Sequence, residues 1–193
     1  GITKNTSSVL ETVFFANKHV KKKDSILICH PDNINLFFSK HDLIKKLEKP
    51  NSDGILFAFD GDTQTNTSET HTGRVIIKNN QVSEIIEKAV KTKNSIRLAG
   101  IYHFSKWGDF IKYAKKTFEN QLPVRGRHFV SQVYNEYLKD KKNITTFNVK
   151  SHITFGLVPY INEYNFWHKY FKKNIKKKLD IKFDFLNLIP SCG

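Results

Sequence analysis

Three apolar segments of the chain run directly into side chains that can handle charge. Ile26 to Cys29 leads to His30, Asp32 and Asn33; Ile55 to Phe59 leads to Asp60 and Asp62; Val82 to Ile86 leads to Glu87 and Lys88. Asp32 is a hard oxygen donor beside an amide, a pairing that suits a Mg²⁺ ion shared with phosphate oxygens. The same dipeptide, Asp32–Asn33, also suits a plain turn or a helix start. Glu87 can accept hydrogen bonds from sugar hydroxyls, and Lys88 can act as a point charge on phosphate. Alternatively the two form a surface ion pair, which contributes little.

The segments that must hold these residues alternate between helical and strand periods. Ser8 to Glu11 is a capping-box pattern, and the apolar spacing of Val9, Val13, Ala16 and Val20 predicts a helix running to about Val20. Ser25 to Cys29 is continuously apolar, as for a strand buried on both faces, with Cys29 a small core residue. A helix after Ser39 carries Leu43, Ile44 and Leu47 and is closed by Pro50; Ile55 to Phe59 follows as a second buried strand. Asp60 to His71 is polar and rich in breakers, a loop. Gly73 to Lys78, Asn79–Asn80 and Val82 to Ile86 read as a hairpin, with Arg97 to Phe104 as a further strand. Two helices around Trp107 to Phe118 and Phe129 to Tyr137, a strand from Thr145 to Val149 and a helix through Tyr164 and Phe171 complete the pattern. The alternation predicts an α/β chain, a three-layer αβα sandwich with a mostly parallel mixed sheet, in which ligands bind beyond the carboxyl ends of strands.

With 193 residues, 39% of them hydrophobic and 16 of them Phe, the chain has material for one aromatic-rich core, so one domain is expected over 1–171, followed by a basic tail over 172–193. No apolar run reaches the ~20 residues of a membrane span, and no signal-peptide pattern opens the chain, which points to the cytoplasm. Cys29 and Cys192 form neither a metal motif nor a disulfide framework. The net charge of +14 is spread along the chain beside many Asn, Ile and Phe residues. Its one concentration is Lys172, Lys173, Lys176, Lys177 and Lys178, a run that could touch phosphates or a membrane, or could be a solvated helix face. The chain contains no methionine, so a segment before Gly1 is expected.

Taken in order, the pieces match a family pattern. Gly1–Ile2–Thr3, Ile26–Leu27–Ile28 leading to Asp32–Asn33, His71–Thr72–Gly73–Arg74–Val75, Val82 to Lys88 and Ala99–Gly100–Ile101–Tyr102–His103–Phe104 follow one another. Gly126 to Asn135 and Phe155–Gly156–Leu157–Val158–Pro159 extend the series. From Gly1 to Phe171 this succession resembles the sugar-phosphate nucleotidyltransferases, above all the bacterial capsule and lipopolysaccharide branch and its glucose-1-phosphate thymidylyltransferase relatives. The resemblance implies a Rossmann-like sandwich and a Mg²⁺-dependent reaction, in which a sugar 1-phosphate oxygen attacks the α-phosphate of a nucleoside triphosphate and pyrophosphate leaves. Carried onto this sequence, it makes Asp32 the metal carboxylate, lets Glu87 hold the sugar and Lys88 its phosphate, and brings backbone at Gly73 and Gly100 close to the sugar. Gly1, Asn33 and Arg127 join them as substrate-binding positions, and a homo-oligomer is compatible with the family.

Three features depart from the pattern. The family's glycine-rich phosphate loop should precede Gly1, and without it the chain is expected not to transfer a nucleotide alone. Arg127 stands where relatives carry Glu, which reverses the charge at a sugar contact. Thr154 stands where some relatives carry a carboxylate, with His152 nearby as an ordinary strand histidine. These departures keep two further readings open, a non-catalytic homologue that binds nucleotide or sugar phosphate, and a glycosyltransferase of the same fold. Nucleic-acid binding is disfavoured, because the rings follow core periodicity rather than alternating with cations on one face.

Overall fold

A computed structural model describes residues 5–37, 39–48, 51–59 and 72–174. Short local signals start the elements. The Ser8 hydroxyl accepts the Glu11 amide at 3.2 Å, and the Glu11 carboxylate accepts the Ser7 amide at 2.7 Å, so both partners of the capping pattern are engaged at the start of helix α1 (Val9–Phe14). The helix is shorter than its apolar spacing suggests, because it tightens into a 3-10 turn at Phe15–Lys18. A tertiary contact coincides with that turn: the indole N–H of Trp107 donates to the Asn17 side chain at 2.9 Å.

The chain continues through β1 (Ile26–Cys29), β2 (Asn33–Leu36), α2 (Lys40–Glu48), β3 (Gly54–Phe59), β4 (Arg74–Lys78), β5 (Gln81–Ile86) and β6 (Ser95–Phe104). Then come α3 (Trp107–Asn120), a 3-10 turn at Val130–Gln132, α4 (Val133–Lys139), β7 (Ile144–Asn148), β8 (Ser151–Thr154) and α5 (Val158–Asn174). It divides into two compact units, Gly1–Ile153 and Thr154–Gly193, so that α5 belongs to the second. The expected loop over Asp60 to His71, with Asp60 and Asp62, lies outside the described residues, as do Gly1 and Lys176 to Lys178.

In the first unit the main sheet has the order β5-β4-β6-β3-β7, with β1 also paired to β6. Helices α1, α3 and α4 cover one face, around Leu56, Leu98, Tyr102, Phe104 and Tyr134. On the other face, Leu43 and Leu47 of α2 pack over Ile55, Phe57, Ala99 and Ile101. This is the expected αβα sandwich with a mixed sheet. The strand directions differ from expectation: β3 runs parallel to β7, whereas β1, β3 and β4 all oppose β6, and the hairpin sets β5 against β4. One long strand that opposes its neighbours on both edges makes the described pairings mostly antiparallel.

β3 is buried throughout, as its sequence predicts. β1 is not: it meets only β6, Leu27 is 45% exposed, and Cys29 is an exposed free thiol instead of a core residue. An edge strand with one covered face explains both corrections. β2 pairs with β8 in a second small sheet, so Asn33 opens a strand where its spacing alone favours a turn or cap.

Candidate functional site

β6 is the element that gathers the candidate residues. One of its edges pairs with β3, and the other is shared: β4 takes Ser95 to Arg97, and β1 takes Ile101 to Phe104. The ends of β4 and β1 therefore abut. The Leu98 amide donates to the Gly73 carbonyl, and the His30 amide donates to the Gly100 carbonyl, both at 2.9 Å. Opposite β3 the register skips, Leu56 facing Tyr102 but Ala58 facing Leu98, so β6 bulges around Gly100.

Gly100 has φ of +70°, and a Cβ there would lie 2.5 Å from the Asn33 amide nitrogen and 3.1 Å from His30 Nδ1. Conformation and space both demand glycine at this point. At Gly73 a Cβ would fall 2.5 Å from Glu87 Oε1 and 3.0 Å from Leu98 Cδ1. The two glycines thus place bare backbone beside Asn33, His30 and Glu87.

Glu87 and Lys88 leave β5 through a turn in which Lys88 has φ of 56°. The fully buried Ser131 hydroxyl donates to the Glu87 carboxylate, although 44 residues separate the two. Burial pushes the Glu87 carboxyl above its ordinary pKa, outweighing the opposing pull of the Ser131 hydrogen bond and the Lys88 charge. The buried Tyr102 phenol is held well above its usual range, first by burial and then by the Glu87 charge. The Lys88 ammonium sits 5.3 Å from the centre of the Phe129 ring.

On the β1 side the His30 ring meets Tyr102 edge-on at 5.7 Å. Burial lowers the pKa of His30, the Asp32 carboxylate opposes that shift, and Lys88 reinforces it. His152 stacks on Phe59 at 4.6 Å, and its Nδ1 lies 2.8 Å from the Asn35 side-chain oxygen. Burial pushes His152 down to about 4, with Asp32 acting against the shift and His30 and Arg97 adding to it. Both rings are therefore neutral at pH 7, and both lie within the field of Asp32.

Of the residues expected to act, Asp32, Asn33, Gly73, Glu87, Lys88 and Gly100 are linked by these contacts and fields around one junction. Asp32 is exposed there, and Asn33 is half-buried. Arg127 is exposed in a tight turn closed by backbone bonds to Val124 of 2.9 and 3.1 Å. None of the hydrogen bonds described at the junction involves it. Gly1 lies outside the described residues. Ser131, Tyr102 and Asn35 were not singled out from sequence; Ser131 and Tyr102 stand inside motif segments, but nothing in a linear reading pairs them with Glu87.

Among the described residues no three His, Cys, Asp or Glu side chains form a group that could hold a metal alone. A single exposed carboxylate nevertheless fits Mg²⁺, which keeps several waters and uses one or two carboxylates with substrate phosphates. The junction thus offers a hard anion, a cation and a half-buried hydrogen-bond acceptor over bare backbone, a set suited to a phosphorylated polyhydroxyl compound. No described helix is long and apolar enough to cross a membrane.

No family profile matches the sequence, and no curated protein matches it. Solved structures do. One is a nucleoside-diphosphate-sugar pyrophosphorylase from Vibrio cholerae, with a TM-score of 0.63 at 18% identity over 84% of this chain and 66% of the other. Another, from Bacillus anthracis, was solved with sucrose and is assigned as a glucose-1-phosphate thymidylyltransferase; it gives 0.63 at 18% identity over 85% and 62%. The chain thus spans just under two thirds of the length of these structures. The likeness is one of fold: this chain shares the Rossmann-like αβα sandwich of these two proteins.

Proposed function

We propose that the chain is the sugar-binding part of a nucleotidyltransferase that joins a nucleoside monophosphate, from a nucleoside triphosphate, to a sugar 1-phosphate or similar phosphorylated acceptor. An acceptor phosphate oxygen attacks the α-phosphorus, the bond from α-phosphorus to the bridging oxygen breaks, and pyrophosphate leaves. The observation that supports this reading is that Glu87 lies against Gly73 while Asp32 and Lys88 both act on His30 beside Gly100, and backbone at those glycines can lie against a sugar. In this reading Glu87, oriented by Ser131, accepts sugar hydroxyls, Lys88 holds the sugar phosphate, and Asn33 lines the same wall. Asp32 would be the described ligand of Mg²⁺, whose contribution is to neutralise phosphate charge. Arg127 could reach an acceptor only from its exposed turn. Such a reaction in the cytoplasm would supply precursors of capsule or lipopolysaccharide.

Catalysis of this kind depends on positioning and charge, so losing one group should leave the fold intact. The test is pyrophosphate release by the full-length protein with a nucleoside triphosphate, a sugar 1-phosphate and Mg²⁺. Asp32→Ala should lower the rate by about a hundredfold or more; unchanged activity would remove the metal assignment. A second reading, binding without turnover, is favoured by Thr154 and Arg127, which stand where the resemblance expects carboxylates, and by the absence among the described residues of a metal-holding group of His, Cys, Asp or Glu. Calorimetry that shows sugar-phosphate binding by a full-length protein without pyrophosphate release would select it.

A further inference from the structure

Within the second unit, α5 gathers most of its aromatic side chains on one side and its lysines on the other. At about 100° per residue, Tyr160, Tyr164, Trp167, Tyr170 and Phe171 fall on one half of the helix wheel, while Lys169, Lys172 and Lys173 fall on the other. Exposure rises along the aromatic half: Tyr160 is buried, but Trp167 is 45% and Phe171 49% exposed, and Phe166 at its flank is 60% exposed. These rings are pre-arranged, Trp167 stacking on Phe171 at 5.8 Å and Phe166 on Tyr170 at 6.4 Å. Glu163, the helix's one acidic residue, falls between Trp167 and Tyr170 on the wheel, outnumbered by Lys169, Lys172 and Lys173, and Lys176, Lys177 and Lys178 follow in sequence.

We propose that α5 docks flat on an anionic lipid surface, its aromatic half in the headgroup–acyl boundary and its lysines at the phosphates. The helix cannot span a bilayer, yet aromatic rings opposite lysines are the composition of an interfacial helix. Charge decides among occupants. Two copies of a chain with a net charge of +14 repel each other, whereas an anionic leaflet attracts each one. Single-stranded nucleic acid would need rings and cations on the same face for stacking and phosphate contact, and here they diverge. This docking is independent of the proposed reaction and survives its failure.

The test uses the chain itself and vesicles of phosphatidylcholine, with or without phosphatidylglycerol. Of its two tryptophans Trp107 is 2% exposed, so a blue shift in emission reports Trp167. Expected are co-sedimentation and a blue shift with phosphatidylglycerol only, both weakening as salt rises. Lys172→Glu with Lys173→Glu should lower partitioning about tenfold or more, and Trp167→Ser with Phe171→Ser should abolish it while far-ultraviolet dichroism is unchanged. Wild-type binding by both double variants would overturn the proposal. So would a chain that stays in solution with anionic vesicles, whether it instead dimerises or binds single-stranded DNA.

Discussion

The two sides of the β6 junction are built differently. On the Glu87 side the carboxylate is held by the buried Ser131 and its charge acts on the buried Tyr102; on the Asp32 side the carboxylate is exposed at the end of an edge strand. The first arrangement is part of the packed interior, and the second stands outside it. A half-buried acceptor with a fixed partner offers one geometry, suited to reading hydroxyls, while an exposed carboxylate can share a hydrated cation with whatever phosphate arrives. Stability and function should therefore be coupled on one side and separable on the other.

The largest effects are expected at the two glycines, where backbone conformation overrides that contrast. Gly100→Ala should cost about 2 kcal/mol or more, because a positive φ and the Asn33 amide both oppose a methyl group. Gly73→Ala meets mainly the far end of Glu87, so it should cost less in thermal unfolding yet still abolish sugar-phosphate binding. Equal losses of stability would show that the positive φ of Gly100 adds no cost of its own. Next in size, Ser131→Ala should cost about 1 kcal/mol by leaving the half-buried Glu87 without its hydroxyl donor, whereas Asp32→Asn should stay within about 0.5 kcal/mol. Urea midpoints measured on both variants decide whether only one side carries structure.

Smaller effects appear in the pH dependence. Glu87 has a raised folded pKa, so its contribution to stability is full below its ordinary value of 4.5 and is lost as pH rises through the folded value. Glu87→Gln should therefore be at least as stable as the parent at pH 7, with that advantage disappearing in acid. His152 behaves oppositely: its folded value near 4 lies below the ordinary 6.5, so stability present above pH 6.5 declines as pH falls toward 4. His152→Gln should flatten this acid limb. A variant whose unfolding midpoint follows the parent's slope between pH 6.5 and 4 would show that His152 does not titrate with folding.

Where chemistry was local, it was legible. Asn79 and Asn80, at φ of 49° and 60°, form the left-handed turn that two asparagines between apolar runs announce. Gly54 to Phe59, continuously apolar, is buried at every position. The junction's acidic and basic residues could be named because they follow strands in sequence. Their supports could not, since each acts across a distance no local pattern encodes. Ser131 reaches Glu87, Asn135 clasps both the amide and the carbonyl of Ile85 at 2.8 Å, and the Tyr134 hydroxyl donates to the His103 carbonyl at 2.8 Å. The exposed face of β1 was equally hidden, because a four-residue apolar run reads alike at an edge and at a centre.

Gly73 and Gly100 give the junction a floor of main chain, with no side chain of their own above it. Such a floor cannot be remodelled by exchanging one residue for another, as every exchange adds atoms where Glu87, Asn33 or His30 already lies. Any retuning of what rests there must come from the rim, at His30, Asn33 and Glu87. A redesign for a new acceptor would vary those three positions and leave the pair of glycines untouched.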